Sequence, residues 1–165
     1  MSEENKESKE PITVTLNNII PEKASLDLFL VGEDGSVADE PISVTLNPCT
    51  LEDEAWLARH YSEEQIKDIF TNVKMVDVTR IVYRLMAQKD RMLFCAMKLE
   101  TVNDEGEKET RNITGPQRVM MGIRGTQHKT QVFQALLTTL GYSRPILDAI
   151  ERAQVEDESK KKVGA

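Results

Sequence analysis

The chain has 165 residues, with 21 Lys and Arg against 28 Asp and Glu, for a formal charge of -7. That length suits one domain, or one and a small annex, and no apolar run approaches the roughly 20 residues that a bilayer requires, which excludes a transmembrane protein. A pI near 5.0 is wrong for a phosphate-binding surface, because DNA affinity rests on neutralising phosphates with Lys and Arg. The opening MSEENKESKE is polar and acidic, unlike a signal peptide. Cys49 and Cys95 form neither a disulfide framework nor a zinc spacing, as expected in a reducing cytosol. A soluble, acidic, intracellular globular protein is the expectation.

In chain order, residues 1–11 and 156–165 are expected to be disordered tails, because neither can bury enough apolar surface to offset the entropy of ordering. Residues 12–47 read as a β-rich region. Ile12, Val14 and Leu16 alternate with threonines, Leu26, Leu28 and Leu30 repeat the period of two, and Ile42, Val44 and Leu46 give a third run. Gly32-Glu33-Asp34-Gly35 is a turn signal. The segments PITVTLN (11–17) and PISVTLN (41–47) differ at one position. Two copies are too few for a solenoid, so they are read as two similar strands.

Residues 48–155 read as a helical body. Thr50 is placed to cap a helix entered at Leu51, with Glu52, Asp53 and Glu54 at the positive end of its dipole and Leu51, Ala55 and Ala58 on one face. Ser62-Glu63-Glu64-Gln65 is a capping-box pattern for a short helix to about Phe70. A third helix, about Met75 to Gln88, carries the stripe Met75, Val78, Ile81, Val82, Leu85 and Met86, with Arg80 and Arg84 facing away. Residues 94–114 suggest a β-hairpin arm turning at Gly106, the alternative being a disordered loop. Pro116 opens a short helical turn, and the Gly122–Gly125 region reads as a hinge. A fifth helix, about Gln127 to Leu140, groups Val132, Phe133, Leu136, Leu137 and Leu140 before the terminating Gly141. Pro145 starts a last helix with Ile146, Leu147, Ile150 and Ala153. The fold class expected is α+β, a small N-terminal antiparallel sheet packed on a bundle of about five short helices.

Catalytic chemistry finds little support, and no enzyme and no cofactor is expected. His60 and His128 lie in different segments without a nucleophile pattern, and no HExxH, GxSxG or P-loop occurs. Cys49 stands at a helix start, where the dipole could lower a thiol pKa, but a small buried residue at a strand–helix junction is the plainer reading. The clusters Glu52-Asp53-Glu54 and Asp104-Glu105 fit a helix N-terminus and a solvated turn better than a metal site. Trp56 falls opposite Leu51, Ala55 and Ala58, so the first helix is apolar on two sides. Either the fold covers both sides, or Trp56 is an aromatic anchor for a partner. Met75, Met86, Met92, Met97, Met120 and Met121 pose the same choice between core filler and an adaptable binding surface.

The run TLEDEAWLARHYSEEQIKDIFTNVKMVDVTRIVYRLM (50–86) resembles the tail assembly chaperones of long-tailed bacteriophages and prophages. The resemblance rests on Leu51, Trp56, Leu57, Ile66, Phe70, Val78, Ile81, Val82, Tyr83 and Leu85, with Phe133–Ile150 similar to the end of the same domain. It implies a non-catalytic holdase that coats the tape measure protein while tail-tube subunits polymerise around it, in the host cytoplasm and absent from the finished virion. Trp56, Tyr61, Phe133 and Leu137 are then expected to border a groove for an apolar client helix. Such chaperones are often made in two lengths by a ribosomal slip, and Lys160-Lys161-Lys162 is a peptide that an A-rich slippery site would encode, so a longer form of the chain is a further expected partner. The alternatives are a small phage structural or adaptor protein and, third, a DNA-binding regulator. The regulator's recognition helix would carry only Arg80 and Arg84 as cations.

Overall fold

The computed structural model describes residues 20–141. The alternating aliphatics make two strands, β1 (Ala24–Leu28) and β2 (Ile42–Leu46), paired antiparallel with Leu26 opposite Val44 and Leu28 opposite Ile42. Leu26, Leu28, Val44 and Leu46 are buried, the expected result of period-two patterning over a core. The run at 12–17, the near-copy of β2, lies outside the described residues, as do both tails and the helix expected after Pro145. Between β1 and β2 the chain makes a smaller excursion, where Val31 and Val37 bridge around Gly35 at φ 84.

Among the described residues six helices follow or interleave with a second sheet, so the chain is α+β. They are α1 (Leu51–His60), α2 (Glu63–Asn72), α3 (Met75–Leu85), α4 (Gln88–Arg91), α5 (Gly115–Met121) and α6 (Gly125–Leu140). A 3-10 turn at Met92–Phe94 leads from α4 to the hairpin of β3 (Met97–Val102) and β4 (Lys108–Ile113), which turns through Gly106 at φ 82. The arm is therefore ordered, not a disordered loop. Capping boxes start α1 (Thr50 with Asp53), α2 (Ser62 with Gln65) and α5 (Thr114 with Gln117), satisfying backbone donors that the first turn leaves free. Gly141 closes α6 in the left-handed region at φ 57. Val73 closes α2 at φ 49, a conformation that strains a β-branched residue.

Several expectations need correction. The face Leu51–Ala55–Ala58 is exposed, Leu51 at 84%, and α1 turns Leu57 into the core with Trp56 half-buried beside it. A Trp–Leu pair removes far more apolar surface from water than two alanines and a leucine, so packing chose that rotation. The helix expected to reach Gln88 stops at Leu85, because Met86 turns extended and bridges Leu46. Arg80 and Arg84 do not face away but lie over aromatic rings. The Gly122–Gly125 region joins α5 to α6 and is anchored to the β1 side at its first residue. Gly122 accepts a hydrogen bond from Phe29 N–H at 3.1 Å, and a Cβ on it would collide with the Phe29 carbonyl.

One core serves sheet and helices alike. Leu28, Val44 and Leu46 pack with Leu57, Ile69, Ile81, Phe94, Val119, Val132, Leu136 and Leu140. His128 ties α6 to the sheet: its Nδ1 accepts from Arg124 N–H at 2.8 Å, leaving Nε2–H to donate to the Asp27 carbonyl at 2.7 Å. His128→Ala strands both groups, and urea melts should show a loss of about 1–3 kcal/mol. An unchanged midpoint would mean that water replaces the ring without cost.

Candidate binding surface

The surface grows from the start of α1. Asp53, third in the helix, accepts from Thr50 N–H through Oδ2 at 2.9 Å, while Thr50 Oγ1 accepts from Asp53 N–H at 3.2 Å. The second carboxylate oxygen of Asp53 accepts from Arg84 Nε on α3 at 2.9 Å. That bond aims the guanidinium over the indole of Trp56, 5.0 Å from the ring centroid. His60 stacks on the same indole at 4.3 Å and 25°, held by its Nδ1–H donating to the Trp56 carbonyl at 2.9 Å. Tyr61, which ends α1, meets Trp56 edge-on at 6.1 Å, and Arg80 lies 5.4 Å over the Tyr61 ring. Arg80 also reaches Asp77 at 3.7 Å. The seam between α1 and α3 thus alternates carboxylates, guanidiniums and aromatic rings.

The four residues expected to border a client groove fall into two pairs. Trp56 and Tyr61 meet at this seam, Trp56 half-buried and Tyr61 only 6% exposed. Phe133 and Leu137 are half-buried on α6 against the core, where Phe133 meets Phe70 at 5.6 Å. A cleft that the sequence reading did not identify lies on the far side of Arg80. It has a volume of about 300 Å³ and is lined by Val76, Thr79, Arg80, Thr114, Pro116 and Met120, between α3 and α5. Val76 is 61% exposed, and its position off the apolar stripe of α3 was the available signal. Arg80 joins the two features, lining the cleft while covering Tyr61.

A larger cleft of about 860 Å³ separates the Gly32–Gly35 turn from the hairpin, with Glu33, Asp34, Lys98, Glu100 and Arg118 among its lining residues. Its central cation is structural. Arg118 donates to the Val31 carbonyl at 2.8 Å and to the Cys95 carbonyl at 3.0 Å, pinning α5 to two loops.

Neither of the groups with a strongly shifted acidity is poised for nucleophilic work. Burial pushes the Cys49 thiol up to about 12, with Asp53 and Glu54 adding to it, opposite to the lowering that a helix dipole would give. Burial likewise pushes the Tyr61 phenol up to about 12 against the opposing charge of Arg80. The nearby Asp77 carboxylate disfavours ionisation of that phenol without taking up hydrogen-bonding geometry, so the hydroxyl is unpartnered among the described residues. Asp53 is committed to its cap and to Arg84, and Asn103 organises the Asp104–Glu105 turn by accepting from Glu105 and Glu107 N–H. Among the described residues no group of three or more His, Cys, Asp or Glu is placed to hold a metal ion. No described helix is long and apolar enough to cross a membrane.

No protein-family model, curated protein or solved structure matches the chain.

The two raised acidities have a consequence for alkaline stability. Each group is neutral when protonated and has a folded-state pKa above its ordinary value, 9.0 for Cys49 and 10.0 for Tyr61. The folded state therefore holds these protons more tightly, so their contribution is complete below pH 9 and is lost as pH rises toward 12. Urea midpoints should fall over that window, and Cys49→Ala and Tyr61→Phe should each flatten the decline. A slope identical in wild type and both variants would place the alkaline sensitivity elsewhere.

Proposed function

We propose that the protein is a non-catalytic assembly chaperone of the long-tailed phage type, holding an apolar helical stretch of a tape measure protein while tail-tube subunits assemble around it. The observation that carries this reading is the apolar cleft between α3 and α5, where Val76 stands 61% exposed beside Pro116 and Met120. Exposed aliphatic and methionine side chains in a groove receive the apolar face of an amphipathic helix. A net charge of -7 makes copies of the chaperone repel one another, which keeps them dispersed. The action would take place in the host cytoplasm, and a longer form extended past Lys160–Lys162 would join the same assembly.

The regulator reading is the weaker one on physical grounds. Arg80 and Arg84, the cations of its would-be recognition helix, are engaged with Asp77 and Asp53 and with the rings of Tyr61 and Trp56. Releasing them to phosphates would dismantle the α1–α3 seam.

Co-expression with the tape measure protein of its own gene cluster tests the proposal. Val76→Asp and Met120→Asp should each lower recovery of the complex at least about tenfold, roughly 1.4 kcal/mol, with unchanged thermal midpoints for the free protein. A complex that survives both substitutions would remove the cleft from the reading, and failure of wild type to bind the tape measure protein would remove the client.

A further inference from the structure

The two sheets treat their edges differently. In the β1–β2 sheet both outer edges are occupied: Thr45 N–H donates to the Asp90 carboxylate at 2.8 Å and its carbonyl accepts from Ala87 N–H at 2.9 Å, while the Asp27 carbonyl takes His128. In the hairpin, Lys108 through Asn112 are all exposed, and no hydrogen bond from another element reaches the outer edge of β4 among the described residues. The phase of the ladder follows from the turn, where Asn103 N–H donates to the Glu107 carbonyl at 2.9 Å. Counting from that pair, Thr101 with Glu109 and Leu99 with Arg111 exchange hydrogen bonds. The backbone groups of Lys108, Thr110 and Asn112 point outward.

The charges of the arm are equally uncompensated. Across the ladder every charged residue faces a neutral one: Lys98 faces Asn112, Glu100 faces Thr110, Glu109 faces Thr101, Arg111 faces Leu99 and Lys108 faces Val102. Glu109 accepts only from the neutral Asn103 amide, and Arg111 has no ion pair among the described residues.

We infer that β4 is a self-recognition edge, pairing antiparallel with β4 of a second copy about a two-fold axis through Thr110 to make a four-stranded sheet. In this register the outward groups of Lys108, Thr110 and Asn112 meet those of Asn112, Thr110 and Lys108 of the second copy. Glu109 then stands opposite Arg111 twice, in the closely spaced non-bonded positions where side chains interact most. The register is selected by charge. Sliding by two residues, the least that keeps the hydrogen bonds in phase, sets Glu109 against Glu109 or Arg111 against Arg111. Charge on an edge strand ordinarily guards it against adventitious pairing, but here the signs alternate about Thr110, so the guard admits a second copy. The β3 edge is excluded, since its complementary register, centred on Leu99, would run the second copy's Asp104 past the fully buried Phe94. The inference does not depend on the chaperone reading.

Sedimentation equilibrium of the full chain, from about 1 to several hundred µM, tests it. A reversible monomer–dimer equilibrium is expected, weakening as salt rises. Glu109→Arg or Arg111→Glu alone should raise the dissociation constant at least about tenfold through two like-charge contacts. The double exchange E109R/R111E should restore the dimer, because opposite charges then face each other again with their signs swapped. Thr110→Pro, which removes an outward N–H and no ladder bond, should abolish it. Circular dichroism should be unchanged throughout. A monomer at all concentrations, a dimer indifferent to the single exchanges, or a double exchange that fails to restore pairing would each overturn the inference.

Discussion

A sheet of two strands has as many outward backbone groups as paired ones, and buried groups of that kind must find partners. This constraint organises much of the described fold. On the β2 side it is met by the segment after α3, which must stop at Leu85 so that Leu85, Ala87 and the buried Asp90 can reach Asn47 and Thr45. On the β1 side it is met by Gly122, bonded to Phe29, and by His128, bonded to Asp27. The end of α3, the approach of α5 and the position of α6 are thereby set by the backbone of the two strands and of the residue that follows each. Apolar burial drives the packing, but hydrogen-bond satisfaction decides where helices begin and end.

The placement of α3 has a second effect. With its apolar stripe on the core, Arg80 and Arg84 come to lie along α1 rather than in open solvent. There they meet Asp53, Trp56 and Tyr61, so the polar side of one helix becomes the cover of an aromatic surface on another. Guanidinium groups suit this role because they stack on rings while still donating to carboxylates. The same placement leaves Val76 unpaired at the start of α3, where α5 provides the opposite wall of the apolar cleft.

Features with local causes were legible in the sequence. The alternation at Leu26–Leu28 and Val44–Leu46, the caps at Thr50 and Ser62, the hairpin turn at Gly106 and the stop at Gly141 each depend on a few neighbouring residues. Features settled by distant partners were not. The rotation of α1 depends on the distant core that receives Leu57 and on Arg84, 31 residues past Asp53, and the stop of α3 depends on the edge of β2. His128 stood in a polar stretch with nothing nearby to mark it, since its partner Asp27 lies 101 residues away. The residues expected at one groove stand on α1 and on α6 as two pairs, and the cleft at Val76 and Met120 was not legible at all. A surface cleft is made by two elements meeting, and neither element alone announces it.

Trp56 is the chain's single tryptophan, and it sits under a guanidinium and against an imidazole at the junction of α1 with α3. The intrinsic emission of the protein is therefore the emission of one place. Loosening of that junction would alter the indole's colour and brightness while the helix signal in the far ultraviolet stayed level. Global unfolding would move both together. The molecule thus carries its own optical gauge, with no label to attach, for separating opening of the α1–α3 seam from collapse of the core.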